Sequence, residues 1–79
     1  MNNQEIMSKM KLVIEDILDI SIDNFQRENT AEDFDGWDSL AHITIIACME
    51  KEFKVRFSLK EVQKLRNVGE FADLVHSKV

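Results

Sequence analysis

The sequence predicts an all-α protein: a small four-helix bundle with three longer helices, one short helix and a long loop between the first two. Three observations lead there. Apolar residues recur at three- and four-residue steps in the first half of the chain, the spacing of a helix that buries one face. The 79 residues include no proline and only two glycines, Gly36 and Gly69, so little interrupts a helix. Two helix-start signatures, Ser58-Leu59-Lys60-Glu61 and Asn67-Val68-Gly69-Glu70, fall late in the chain, each with a capping residue followed three positions on by Glu.

The first helix is expected from about Asn3 to Leu18, capped by Asn2 or Asn3, with Ile6, Met10, Val13, Ile14 and Ile17 as its core stripe. Asp19 to Trp37 then reads as a long connection. Its apolar residues Ile20, Ile22, Phe25, Phe34 and Trp37 lack helical period and are expected to pin the loop across the bundle. The second helix is expected to start at Asp38 and end near Phe53, with Asp38 accepting the free N–H groups of the first turn. Ile43, Ile46, Met49 and Phe53 are assigned to one face, and Ala41, Thr44, Cys48 and Lys51 to the opposite one, which carries little charge and is expected to meet solvent or partners. Val62 and Leu65 are expected to point inward from the third helix, and Phe71, Leu74 and Val75 from the fourth.

Size and charge exclude whole classes of function. One domain spanning 1–79 holds one core, and a chain this short buries only about 60% of the surface it exposes when unfolded, which favours a carrying or binding module over a self-sufficient enzyme. The net charge of −5 argues against nucleic acid. That charge is polarised: Glu15 to Asp38 holds nine acids and one base, whereas Lys51 to Arg66 holds six bases and two acids. Such asymmetry suits the orientation of protein partners. No signal-peptide pattern opens the chain, and the apolar stretch Ile43 to Met49 is far shorter than the roughly 18 residues of a membrane span. The single cysteine, Cys48, excludes an internal disulfide and a cysteine-rich zinc site. A monomer in the cytoplasm is the expectation.

Chemistry is concentrated at Asp35-Gly36-Trp37-Asp38-Ser39-Leu40. An acidic turn leads through a glycine to a capped helix whose first turn begins with a serine. There the helix dipole and the unpaired N–H groups favour an anion beside the Ser39 hydroxyl. His42 lies one turn on, but no third residue is apparent to orient it, so a hydrolytic Ser–His pair lacks its support. Taken alone, Asp38-Ser39 is also what any well-made helix start looks like.

The wider pattern resembles the acyl carrier protein family, including the peptidyl carrier domains. Gly36-Trp37-Asp38-Ser39-Leu40 is followed by Ile43, Ile46, Glu50, Glu52 and Phe53, then by Phe57-Ser58-Leu59 and by Leu65-Arg66-Asn67-Val68-Gly69-Glu70-Phe71, so the resemblance spans essentially the full length. It implies that a phosphopantetheinyl transferase attaches a 4′-phosphopantetheine arm from coenzyme A to Ser39, with Asp38 supporting attachment. It further implies that the arm carries an acyl or aminoacyl group as a thioester, loaded by a ligase and passed to acyl-transfer enzymes. The expected function is that of a stand-alone carrier. Fatty-acid carriers are acidic on the exposed face after the serine, whereas this chain has Ala41 and Thr44 there and Lys51 further on. Partner contact is therefore expected through Trp37, Leu40, Ala41, Thr44, Cys48 and Lys51, in a specialised pathway such as peptide, polyketide or polysaccharide assembly. The alternatives are an interaction module of the same fold that carries nothing, and a small enzyme or regulatory subunit. Cys48 has no evident activating group and His76 no evident partner. The acids around Gly36 fail the spacing of a calcium loop, which would place Ala31 and His42 at ligand positions.

Overall fold

The computed structural model describes residues 2–79 as four helices: α1 (Asn3–Leu18), α2 (Ser39–Phe53), α3 (Leu59–Gln63) and α4 (Val68–Lys78). One turn of 3-10 helix (Ala31–Asp33) interrupts the long loop. Among the described residues there is no strand, and no helix is long and apolar enough to cross a membrane.

Each helix start is capped as its sequence dictates. Asn2 Oδ1 accepts the Glu5 N–H, and Asp38 Oδ1 accepts that of Ala41. Ser58 and Glu61 form a reciprocal capping box, Ser58 Oγ taking the Glu61 N–H and Glu61 Oε1 the Ser58 N–H. The fourth helix departs from that scheme. Asn67 Oδ1 accepts the Glu70 N–H, but Glu70 reaches past the cap to the backbone and guanidinium of Arg66.

The first two helices end alike. Asp19 and Lys54 both adopt the left-handed conformation with φ 56°. In each case a glutamate one turn earlier turns back to the chain that follows: Glu15 Oε2 accepts the Ile22 N–H at 2.7 Å, and Glu50 Oε2 that of Phe57 at 2.8 Å. These carboxylates satisfy part-buried amides that would otherwise be left without partners as the chain leaves each helix.

The core is built from Ile6, Met10 and Ile14 of α1, Ile45, Met49 and Phe53 of α2, and Val68, Phe71, Ala72 and Val75 of α4. Ile22 is the buried anchor of the loop, with Ile20, Phe25, Phe34 and Trp37 packed partly against the same cluster. Leu65 packs there too, although it lies beyond the end of α3.

The face assigned to the core on α2 needs correction. Ile43 is 65% exposed, whereas Ile45 is fully buried. At 3.6 residues per turn, Ile45, Met49 and Phe53 form one line, and Ile43 stands about 160° around the helix from Ile45. The exposed face comprises Leu40, Ile43, Thr44, Ala47 and Lys51; Ala41 and Cys48 lie half-buried on its flank.

The loop is strapped to α4. The Val68 N–H donates to the Asn29 carbonyl and the Gly69 N–H to that of Arg27, both at 2.8 Å, so two orphan amides of the α4 start are met by the loop. The Arg27 guanidinium meets the Asp73 carboxylate with two bonds, of 2.8 and 3.1 Å. These hydrogen bonds, helped by the charge of Arg27, hold the Asp73 carboxyl below the usual range.

Candidate site at the start of the second helix

The turn before α2 is shaped by Gly36, whose φ of +85° suits a residue without a side chain. Its carbonyl accepts the Asp38 N–H at 2.9 Å, a tight turn around Trp37. Asp38 then takes an extended backbone with φ −95° and its side chain closes onto Ala41. Ser39, exposed to solvent, is the first helical residue. With the Ala41 N–H taken by Asp38 Oδ1 and the His42 N–H by the Asp38 carbonyl, the amides of Ser39 and Leu40 are the open donors of this turn.

Trp37 and His42 close the side of the site. The indole Nε1–H donates to His42 Nδ1 at 3.0 Å, and the ring centroids are 6.0 Å apart. Trp37 is stacked on Phe34 at 5.8 Å, and Phe34 lies 6.1 Å from Phe25. Partial burial pushes the His42 pKa down. Burial thus favours the neutral imidazole, and the bond from the indole places its lone pair on Nδ1 and its proton on Nε2. This bond gives His42 a role other than that of a base for Ser39. Among the described residues, no group of three or more His, Cys, Asp or Glu is arranged to hold a metal ion.

Of the residues expected to meet partners, Leu40, Thr44 and Lys51 are exposed, Leu40 to 74%, while Trp37, Ala41 and Cys48 are half-buried. Thr44 Oγ1 donates to the Leu40 carbonyl at 3.1 Å, which ties up its hydroxyl and leaves its methyl for contact. Ile43 and Ala47 belong to the exposed face and were missed because α2 is apolar around most of its circumference. The four-residue spacing of Ile45, Met49 and Phe53 is the signal that separates the two faces. Leu40, Ile43 and Ala47 thus make an apolar ridge running down the helix from Ser39, reaching Lys51 at its far end.

A short helical bundle that presents an exposed serine at a capped helix start is the architecture of a carrier domain. The chain matches the family model described as a phosphopantetheine attachment site over residues 8–75. It is 34% identical to an acyl carrier protein of Thermosynechococcus vestitus, an alignment covering all of this chain and 98% of that one. It is also 34% identical to an acyl carrier protein of a Picosynechococcus species, over 96% of this chain and 94% of that one. The solution structure of holo acyl carrier protein from Geobacter metallireducens superimposes with a TM-score of 0.81 at 38% identity, covering 91% of this chain and 83% of the other. The chain belongs to the acyl carrier protein family, whose members are carriers and not catalysts, and its prosthetic group is 4′-phosphopantetheine.

The residues present fit that group. Ser39 is exposed at the first position of α2, where the open amides of the first turn and the positive end of the helix would favour a phosphodiester. Asp35 and Asp38 oppose it electrostatically, but a covalently attached phosphate needs no net attraction to stay. When bound, the arm supplies a thiol that holds cargo as a thioester.

Proposed function

We propose that Ser39 is the attachment residue and that this carrier serves a specialised biosynthetic pathway. The observation that carries the assignment is the placement of Ser39: solvent-exposed, first in α2, immediately after the Asp38 cap, inside the matched attachment-site region. In this reading Asp38 fixes the first turn so that the hydroxyl is offered in one geometry to a phosphopantetheinyl transferase. The protein's own part is presentation; the transferase supplies the arm from coenzyme A.

The pathway reading rests on the α2 face. Leu40, Ile43, Ala47 and the methyl of Thr44 offer apolar contact, with Lys51 where the ridge ends. Docking of a loading ligase or acyl-transfer enzyme would then draw mainly on apolar burial, with Trp37, Ala41 and Cys48 at the margin. Charges at the rim set orientation and on-rate and are screened over about 8–10 Å. Residues 1–79 act in this reading as a single carrier domain, a monomer working in the cytoplasm.

The test is incubation with a promiscuous transferase and coenzyme A, read by intact mass. Gain of one phosphopantetheine is expected. An unchanged mass, with the transferase active on another carrier, contradicts the reading and favours an interaction module that carries nothing.

A further inference from the structure

Two concavities meet at the Trp37–His42 pair. One is an open cleft beside Ser39, lined by Ala31, Trp37, Asp38, His42 and Ile43. The other is a recess of about 70 Å³ between the loop and the start of α4, reaching the core at Leu65, Val68 and Phe71. Ala31, Trp37 and His42 line both, so these three side chains are a shared wall between the serine and the interior.

The wall is held from both sides. Phe34 stacks on Trp37 from the loop, and the 3.0 Å bond from the indole to His42 Nδ1 fastens it to α2. Swinging the indole aside breaks that part-buried bond. The recess is also several-fold smaller than the roughly 300–1,000 Å³ of pockets that enclose a ligand. To hold an alkyl chain it must grow, and the wall shared with the serine cleft must then move.

We propose that the Trp37–His42 hydrogen bond is a latch that keeps cargo attached through Ser39 out of the recess, which makes this pair a determinant of cargo. Short or polar acyl and aminoacyl groups ride outside on the arm. A long alkyl chain gains the interior only when the latch is broken. The inference rests on the assignment of Ser39 as the attachment residue.

The experiment loads the full chain from acetyl- or octanoyl-coenzyme A with a promiscuous transferase. It then follows the Leu65 and Val68 methyl signals and the single indole N–H signal by NMR. In the wild type these signals are expected to be the same for both cargoes. In His42→Leu, which lacks the acceptor, octanoyl but not acetyl is expected to shift the two methyl signals. His42→Asn, whose amide oxygen can accept the indole N–H, is expected to behave as the wild type. Trp37→Phe keeps an aromatic ring, removes the donor and is expected to behave as His42→Leu; it decides the matter should His42→Leu not fold. Octanoyl-dependent shifts in the wild type, or none in the latch variants, overturn the proposal. Intact mass reports loading and fragmentation its position, so a failure of the Ser39 assignment is visible as such. The bare chain then still decides on the latch: solvent exchange of the indole N–H is expected to be at least about tenfold faster in His42→Leu, and equal rates overturn it.

Discussion

Arg27 lies across Gly69 so closely that a Cβ on the glycine would stand 2.9 Å from Arg27 Cβ and 3.1 Å from its Nε and Cζ. The Gly69 N–H and the Arg27 carbonyl are bonded at the same crossing, so neither backbone can retreat without breaking that bond. This contact is how the loop that precedes Ser39 is laid against α4.

Gly69→Ala is therefore expected to destabilise the protein despite the better helix propensity of alanine. Propensity favours alanine by about 0.8–1.0 kcal/mol, but overpacking of a fixed contact costs about 1–3 kcal/mol. The far end of Arg27 can shift; its Cβ cannot. Urea unfolding that shows a lower midpoint at unchanged slope agrees. A more stable variant would mean that the loop yields at this point.

The register of α2 is tested by a pair of substitutions. Ile45→Ala, in the fully buried row, is expected to cost about 2–5 kcal/mol. Ile43→Ala, at a position 65% exposed, is expected to stay within about 0.5 kcal/mol of wild type. Thermal unfolding of both variants decides, and a larger loss for Ile43→Ala than for Ile45→Ala would show that the two faces have been exchanged.

Asp38→Ala removes the acceptor of the Ala41 N–H and is expected to cost about 0.5–2 kcal/mol of stability. It is also expected to slow arm transfer, since the serine is then offered from a frayed turn. Stability and transfer rate both at wild-type values would show that the cap contributes neither.

His42 predicts a pH dependence with a definite sign. Its folded-state pKa lies below the ordinary value of about 6.5, because burial disfavours the charged ring. Between the two values the unfolded chain binds more protons, so stability rises with pH across that window. The contribution is complete above about pH 6.5 and is lost as the pH falls through the folded-state value. Asp73, Glu70 and Glu61 are held below the carboxylate range by Arg27, by Arg66, and by the Ser58 N–H with Lys78, respectively, so their contribution fades only in more acid solution, below about pH 4.5. Urea titrations from pH 7.5 to 5 are expected to show a decline in the wild type that is absent in His42→Asn. Parallel curves would remove His42 as the cause.

Much of the architecture was legible in the residues themselves. The α1 stripe and the Asp38 and Ser58 caps follow from local period and local capping chemistry, and the anchoring role of Ile22, Phe25 and Phe34 from apolar residues without period in a long loop. The 3-10 turn at Ala31–Asp33 did not, because it has no apolar period. Its mark is the Thr30-x-x-Asp33 box, in which Asp33 Oδ2 accepts the Thr30 N–H at 2.9 Å. The choice between Ile43 and Ile45 was hidden by the near-uniform apolarity of α2, where only packing against α1 and α4 selects a face. Arg27–Asp73 joins residues 46 positions apart, and the Trp37–His42 bond depends on how the Gly36 turn folds back. Neither follows from local pattern.

The measurement that bears most directly on the assignment is the location of the arm after transfer, by fragmentation of the modified protein alongside Ser39→Ala. Ser58 and Ser77 have their hydroxyls engaged, with the Glu61 N–H and the Leu74 carbonyl respectively, whereas the exposed Ser39 opens α2. The expected result is one arm, on the Ser39 peptide alone, with no transfer to a Ser39→Ala chain that keeps wild-type helicity. An arm on any other residue, or transfer undiminished in Ser39→Ala, would contradict the account.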